Sequence, residues 1–585
     1  MKLMRRARCV AAVLSAAALS SASHAQTPAA MHAAGQLPAS VAQWAEGARL
    51  LPGLGDFHRP ITTSSALAQQ YFDQGLRLAW AFNHDEAARS FAQAARLDPA
   101  CAICYWGVAL SVGPNYNMSS MDTVRAQVAW EALHSAQANA VSAAPVEQAL
   151  IGALAARYPS ADAIGPNNLD AVQNAYARAM EAVAARFADD LDVQTLCAEA
   201  EMNVHAWKLW TPEGTPVEGT LAIEARLEAV LRRDPGHPGA NHYYIHVMEG
   251  SSHPQAALPS AQRLSGMMPA AGHLEHMPAH IMERIGRYEA AAEANRRAVN
   301  ADLAYLATLT PPDHYAMYLV HNYSFLAYAV AMEGRKAETL TVVQQLVEHA
   351  PLSMQLAMGQ SGWSTSQQYA ALVRFGLWDE LIALGPPDAQ APGLTAAYLY
   401  GRGVALAARG RTDEARHALD ELRALAEGVP AEGHALRSML SIAQPIVAAR
   451  IAATLAHNEE AVTLLQEAVA VEDALPYNEP PEWFFPVRHL LGAQLLIAAR
   501  PAQAERVYRE DLRRNPDNGW ALFGLAAALR AQGEPRAAAR VTQALKRAWA
   551  HADVPLEGSA FWFAGADVTT CECQRTTTRV PAGGS

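Results

Sequence analysis

Histidine is concentrated in one stretch of this sequence. Nine of the 21 histidines lie within residues 237–321, where an even distribution would place about three. Pairs recur four residues apart, as in His242 and His246 and in His276 and His280. On a helix such a pair lies on one face, so both imidazoles can bind one metal ion, as in H-E-x-x-H sites. Because imidazole suits zinc, copper, iron and nickel, the stretch predicts a transition-metal site.

A repeat of 34 residues supplies the elements that would position these histidines. In the segment from Ala68, small residues at positions 8 and 20 would let two helices approach, and bulky residues at positions 4, 11 and 24 would fill the gap. Proline at position 32 would mark the turn. The residues concerned are Tyr71, Gly75, Leu78, Ala87, Phe91, Ala94 and Pro99. At these positions the segment resembles the tetratricopeptide repeat (TPR). Frames of the same kind begin at or near Pro238, Gly272, Val320, Ala396, Ile442, Phe485 and Gly519.

The resemblance covers most of residues 65–550 and implies an all-α, TPR-type solenoid of helical hairpins, with a division into two halves near residues 386–392. It also implies that positions 2, 5, 9 and 12 of each first helix line a concave groove, which in this family holds peptides or partner proteins. The expected organisation is a signal peptide (1–25), an N-terminal extension (26–65), a solenoid with a His-rich groove (66–385), further TPR repeats (393–552) and a C-terminal tail (553–585).

Seven side chains are predicted to face this groove when the frame is applied to the histidine-rich stretch. They are His242, His246, Glu249, His273, His276, His280 and His321. Pro278 leaves two arrangements open. Either it kinks the first helix of its repeat, or the helix begins at Pro278 and the two histidines before it lie on the preceding loop.

The number of ions also stays open. His273 and His280 are two helical turns apart, about 10 Å, so they do not easily bind the same ion. Six histidines suit either one ion, with the remaining rings as a polar surround, or two ions. Three histidines on each of two ions would look like a dinuclear copper centre. Copper, zinc and iron are the candidate metals. Without a metal, the histidines would contact a groove peptide or hydrogen-bond to tyrosines.

Two segments outside the stretch are expected to be structural. His84 is predicted to cap or pack at the turn within the first repeat, away from the inner face. Residues 115–118 form an ordinary loop by composition.

The N-terminus predicts export. A basic region with Arg5 and Arg6 precedes an apolar segment, and residues 23–25 match a cleavage site, so the protein is expected in the periplasm or secreted. In such a compartment Cys101 and Cys104 favour a disulfide, with redox activity or metal capture as alternatives. Histidine does not follow Cys104, so the pair is not a haem-attachment motif.

The amino-acid composition excludes further classes of function. The 585 residues are 51% apolar and 17% charged with a net charge of −12, which argues against disorder and against a nucleic-acid partner. No membrane span is predicted. The first interpretation is an exported TPR binding protein whose groove carries a His-rich transition-metal site. The alternatives are a copper- or iron-dependent oxidoreductase using that site and a peptide- or protein-binding scaffold without metal. The sequence leaves open whether the protein is an enzyme.

Overall fold

The computed structural model describes most of the chain after the N-terminal extension begins. The described residues are 37–118, 121–160, 169–308, 315–357, 362, 365–430 and 434–561. The predicted signal peptide and most of the predicted tail lie outside them.

The described residues are predominantly helical, as predicted, and the helices are numbered in chain order. The first sixteen are α1 (Val41–Trp44), α2 (Ala66–Trp80), α3 (His84–Leu97), α4 (Ala102–Ser111), α5 (Thr123–Asn139), α6 (Pro145–Leu154), α7 (Leu169–Arg186), α8 (Leu191–Met202), α9 (Thr220–Arg233), α10 (Pro238–Glu249), α11 (Leu258–Leu264), α12 (Gly272–His276), α13 (Pro278–Arg284), α14 (Tyr288–Leu306), α15 (Ala316–Met332) and α16 (Lys336–His349). The remaining helices are α17 (Leu352–Ala357), α18 (Gln367–Arg374), α19 (Trp378–Ala383), α20 (Pro392–Ala408), α21 (Thr412–Gly428), α22 (His434–Thr454), α23 (Asn458–Asp473), α24 (Val487–Ile497), α25 (Pro501–Arg514), α26 (Gly519–Ala531) and α27 (Pro535–Ala548).

Helices that follow one another in the chain pack together as hairpins, which gives the all-α solenoid. The close approach depends on the small residue at position 8 of a repeat. A Cβ atom on Gly75 of α2 would lie 2.7 Å from the ring of Phe91 in α3. The same relationship recurs near the end of the chain, where a Cβ atom on Gly492 would lie 2.3 Å from the ring of Tyr508. In both hairpins an aromatic ring at position 24 occupies the space that glycine leaves.

The chain breaks its helix at Pro278, as one of the two predicted arrangements requires. Helix α13 begins at Pro278, and Met277 separates it from α12. His273 and His276 lie on the short helix α12 and not on a loop.

The histidine-rich stretch lies deep in the molecule. Every residue of α10 is buried, from Pro238 to Glu249. The apolar core around α14 and α15 also contains Phe484 and Trp520 from the C-terminal repeats, and the Trp520 indole donates a hydrogen bond to the Ala331 carbonyl at 3.1 Å. The last repeats therefore pack back across the predicted midpoint. Within the described residues, no helix has the length and apolarity needed to cross a membrane.

Candidate metal centre

The six predicted histidines come together as two groups of three. In each group the ligand nitrogens lie within 4.8 Å of one another. The first triad is His242 and His246 from α10 with His273 from α12, and the second triad is His276 from α12, His280 from α13 and His321 from α15. Five of the six are at most 2% exposed, and His321 is half-buried. Histidines from one predicted repeat are thus shared between the triads, because His273 and His276 of α12 belong to different groups.

In the second triad the Nε2 atoms converge. Nε2 of His276 lies 2.8 Å from Nε2 of His280 and 3.1 Å from Nε2 of His321. The opposite nitrogen of His276, Nδ1, donates to the Asn295 side-chain oxygen at 2.7 Å. That oxygen is fixed as an acceptor, because the Asn295 nitrogen donates to the Ala291 carbonyl. His276 therefore presents an Nε2 lone pair to its neighbours.

The same pattern holds for His280. Its Nδ1 donates to the carboxylate of Glu479, so in the neutral ring Nε2 carries a lone pair. The Nε2 atoms of His276 and His280 thus face each other at 2.8 Å, so they either share a proton carried by His280 or bind a cation between them.

In the first triad, two of the three rings are held in the same way. Nδ1 of His242 donates to the Trp80 carbonyl at 2.6 Å, and Nδ1 of His246 donates to Glu249 at 3.1 Å. Nε2 of His242 lies 3.2 Å from Nε2 of His273. Nε2 of His246 is buried and has no hydrogen-bond partner within the described part of the chain. Four of the six rings are therefore anchored through Nδ1, which leaves Nε2 for an ion.

The spacing of these nitrogens fits a metal site. Two nitrogens bound about 2.0–2.1 Å from one ion at a tetrahedral angle lie about 3.3 Å apart. The shortest Nε2–Nε2 contacts in the triads are 2.8–3.2 Å, slightly tighter than this value. A small outward movement of the rings would place them at ligand distance.

Two buried carboxylates lie beside the triads, and one of them, Glu249, contacts both. Glu249 approaches the first triad through His246, and its second oxygen lies 3.1 Å from Nδ1 of His280. Glu479 contacts the same Nδ1 atom. Glu249 was predicted as a metal ligand, and in the structure both of its oxygens lie next to Nδ1 atoms. Sequence reasoning did not find Glu479, since it lies outside the histidine-rich stretch.

Burial sets the electrostatics of the centre. It lowers the pKa of five of the six histidines, that of His321 to about 3. His280 is the exception: burial lowers its pKa, but the charges of Glu249 and Glu479 outweigh burial and raise it. Burial also raises the pKa of Glu249 to about 8. Most of the rings are thus held neutral, which is the form that binds metal.

A cavity of about 200 Å³ opens beside both triads. His246, His273, His280 and His321 line it. Its other walls include residues that were predicted to be structural, namely His84 and the loop residues Asn115, Asn117 and Met118.

The prediction that His84 lies away from the inner face is therefore wrong. His84 is the first residue of α3 and lines the cavity, and Asn83 caps the helix. The preceding residue, Phe82, packs its ring on His242 at a centroid distance of 4.4 Å and on His273 at 5.4 Å. The first hairpin thus reaches the centre because the solenoid folds back on itself, which a single repeat does not reveal.

The cysteines lie apart from the histidines. A disulfide joins Cys101 to Cys104 at the start of α4, with 5.4 Å between their Cα atoms. Cys197 is buried and has a free thiol. The last two cysteines of the sequence, Cys571 and Cys573, lie outside the described residues.

Comparison with known proteins gives similarity of architecture alone. No family model and no curated protein matches the chain. Among solved structures, a human IFIT1 dimer with m7Gppp-AAAA is 12% identical, with a TM-score of 0.30 over 83% of this chain and 91% of that one. Yeast Tom70 is 12% identical, with a TM-score of 0.26 over 83% and 95%. The TPR domain of P58(IPK) is 13% identical, with a TM-score of 0.18 over 56% and 89%. At these scores the likeness carries no argument about ligands. The chain's own helices define an all-α scaffold of helical hairpins, an architecture suited to concave binding surfaces.

Proposed function

We propose that this protein binds two transition-metal ions, one on each histidine triad. The observation that carries the proposal is the convergence of the six imidazoles into two groups, in each of which the ligand nitrogens lie within 4.8 Å of one another. A proton on His280 could bridge His280 and His276, because the neighbouring carboxylates raise the pKa of His280. It would not pair Nε2 of His246, which is buried and has no partner among the described residues, whereas a metal ion on the first triad would.

The donor set suits copper or zinc better than iron. Each triad offers three imidazoles, and the nearby carboxylates of Glu249 and Glu479 contact Nδ1 atoms instead of the converging Nε2 atoms. Iron sites commonly include a carboxylate ligand, whereas imidazole alone suits copper and zinc. Copper bound at this position would supply one-electron redox chemistry at the wall of the cavity.

We therefore propose that the protein is a copper-dependent oxidoreductase acting on a small molecule in that cavity. The chain's own residues hold the rings in place: Trp80, Asn295, Glu249 and Glu479 fix the Nδ1 atoms and keep Nε2 directed inward. The two carboxylates offset part of the positive charge. Phe82 packs over the first triad and excludes water from one side of it.

Burial argues against the peptide-scaffold alternative at this position. His242 and His276 have no exposed surface, and α10 is buried along its whole length. A peptide lying in an open groove would not reach these side chains. A molecule small enough to enter the cavity would reach His246, His273, His280 and His321.

Metal analysis of matched variants tests the proposal. We expect two equivalents of metal in protein purified without chelator, and one equivalent in His273→Ala and in His276→Ala, each with unchanged helical content by circular dichroism. His457→Ala removes an exposed histidine and should retain two equivalents. Unchanged metal content in both triad variants would refute the assignment. So would failure of chelator-treated protein to take up copper, zinc or iron.

Export is proposed on separate grounds. The N-terminal sequence and the Cys101–Cys104 disulfide both suit an oxidising compartment. N-terminal sequencing of the periplasmic or secreted fraction should give a chain that begins at Gln26. An uncleaved chain confined to the cytoplasm would exclude export.

A further inference from the structure

We infer that the cavity beside the triads binds a small, uncharged molecule with one aromatic ring and a hydrogen-bonding substituent. The inference rests on the proposed function, because this molecule would be the substrate of the metal centre. Four properties of the cavity indicate this class of ligand: its volume, its walls, its charge and its unpaired polar groups.

The volume limits the ligand to about one ring. The cavity measures about 200 Å³. An apolar cavity of about 150 Å³ in another protein holds a benzene molecule. The space here therefore accommodates a benzene ring with one or two small substituents.

The walls favour an aromatic ring over an aliphatic chain. Phe82, Trp207, Tyr315 and Tyr318 line the cavity. Tyr318 already packs on the ring of His273, at a centroid distance of 4.5 Å. Aromatic rings attract one another in offset and edge-to-face arrangements, beyond the effect of the area that they bury. A planar ligand ring can make these contacts with several walls at once.

The charge of the cavity excludes ionic ligands. Among its described lining residues there is no lysine or arginine that could pair with a carboxylate or phosphate. Its one acidic residue, Asp85, forms an ion pair with the buried Arg125 at 2.5 Å and so offers little to a cation. In the metal-free protein an ionic ligand would lose its hydration and find the nearest charged groups already paired, His280 with Glu479 and Asp85 with Arg125, whereas an uncharged ligand needs no counter-charge.

Two unpaired polar groups call for a substituent that forms hydrogen bonds. Both ring nitrogens of His84 are buried and have no hydrogen-bond partner in the described structure. The side-chain oxygen of Asn117 is likewise unpaired among those residues, while its nitrogen donates to the Tyr318 hydroxyl at 3.3 Å. Buried polar groups in folded proteins are normally paired, so these point to a ligand group that both donates and accepts. A phenolic or benzylic hydroxyl meets this requirement.

Calorimetric titration of metal-free protein with phenol, benzyl alcohol and benzoate tests the inference. We expect phenol or benzyl alcohol to bind at least tenfold more tightly than benzoate. His84→Phe should weaken binding of the tighter alcohol at least tenfold, because the ring is kept and the hydrogen-bonding nitrogens are lost. His134→Phe, at an exposed position, is the matched control and should bind as the wild type does.

A second variant gives an independent test that does not depend on the folding of His84→Phe. Met317 lines the cavity and is 38% exposed, so Met317→Trp should block the cavity from its outer side with little effect on the core. Loss of binding in this variant supports the inference. Benzoate binding as tightly as the alcohols, or unchanged affinity in both cavity variants, would overturn it.

The metal content of the same preparations separates the two proposals. Two bound ions without binding of either alcohol would refute the substrate class and leave the metal centre in place. Binding of an alcohol by protein that never takes up metal would refute the metal centre and leave the cavity as a binding site.

Discussion

Glu479 accepts a hydrogen bond from Nδ1 of His280, although 199 residues separate the two in the sequence. Both side chains are at most 2% exposed. The residue that orients a histidine of the second triad therefore comes from the loop before α24, in the C-terminal repeats. Assembly of the centre depends on the C-terminal half packing back onto α10 and α13.

This contact predicts the effect of Glu479→Gln. The amide keeps the size of the side chain but removes the negative charge that favours a hydrogen bond from His280. Removing such a partner typically lowers metal affinity 10–100-fold. Competition against a chromophoric chelator should show this loss at one of the two sites, with helical content unchanged.

Glu467→Gln is the matched control, since Glu467 is exposed on α23. It should leave both affinities as in the wild type. Equal affinities in wild type and Glu479→Gln would mean that the carboxylate does not position His280 for metal binding.

The sequence predicted the helical repeat and the six histidines because both depend on local spacing. Position 8 in a repeat faces position 24, as Gly75 and Phe91 show, and a 34-residue frame contains both. The same frame placed the six histidines on neighbouring helices. That local information was enough to bring them into one cluster.

The 34-residue frame did not predict which histidines belong to which triad, or which residues surround them. His276 and His280 converge with His321 across the break at Pro278, while His273, which shares α12 with His276, joins the first triad. Phe82 and Glu479 approach from opposite ends of the chain. Their positions depend on the curvature of the whole solenoid, which accumulates over many repeats and has no signature within one.

The glycine at position 8 supplies a prediction about the fold. In Gly75→Ala the new Cβ atom would meet the Phe91 ring at 2.7 Å, and such overpacking costs about 1–3 kcal/mol. Gly152→Ala is the control: Gly152 is exposed on α6, and a Cβ atom there would have no described neighbour within 4 Å. Alanine should stabilise that helix by up to about 1 kcal/mol.

The midpoint of thermal unfolding, measured for both variants under one set of conditions, tests this prediction. It should fall for Gly75→Ala and stay level or rise for Gly152→Ala. A midpoint for Gly75→Ala at or above that of the wild type would show that the two helices do not pack as closely as the structure has them.

Metal removal should destabilise the protein. Ligands that bind only the folded state stabilise it by about 2.7 kcal/mol when present at about 100 times the dissociation constant, and the two triads would contribute separately. Chelation should therefore lower the midpoint of thermal unfolding. The midpoint of the double variant His273→Ala/His276→Ala should not respond to chelator. An equal response in the double variant would place the stabilising ion elsewhere.

His489 predicts a pH dependence of stability away from the metal centre. Its Nε2 donates to Asp511 at 3.0 Å, and its Nδ1 accepts from Arg374 at 3.0 Å. Burial lowers the pKa of His489 and the charge of Arg374 lowers it further, outweighing Asp511. Asn518, which donates to the same Asp511 carboxylate, completes the polar surround.

The direction in which stability changes with pH depends on whether the folded or the unfolded chain binds the proton more readily. The unfolded chain takes up a proton at His489 near pH 6.5, whereas the folded chain resists it, so stability falls as the pH drops below about 6.5. His489→Gln cannot titrate, so its stability deficit relative to the wild type should shrink between pH 7.5 and pH 5.5, measured by urea unfolding of metal-free protein. A deficit that stays constant or grows over this interval would mean that His489 is protonated in the folded protein.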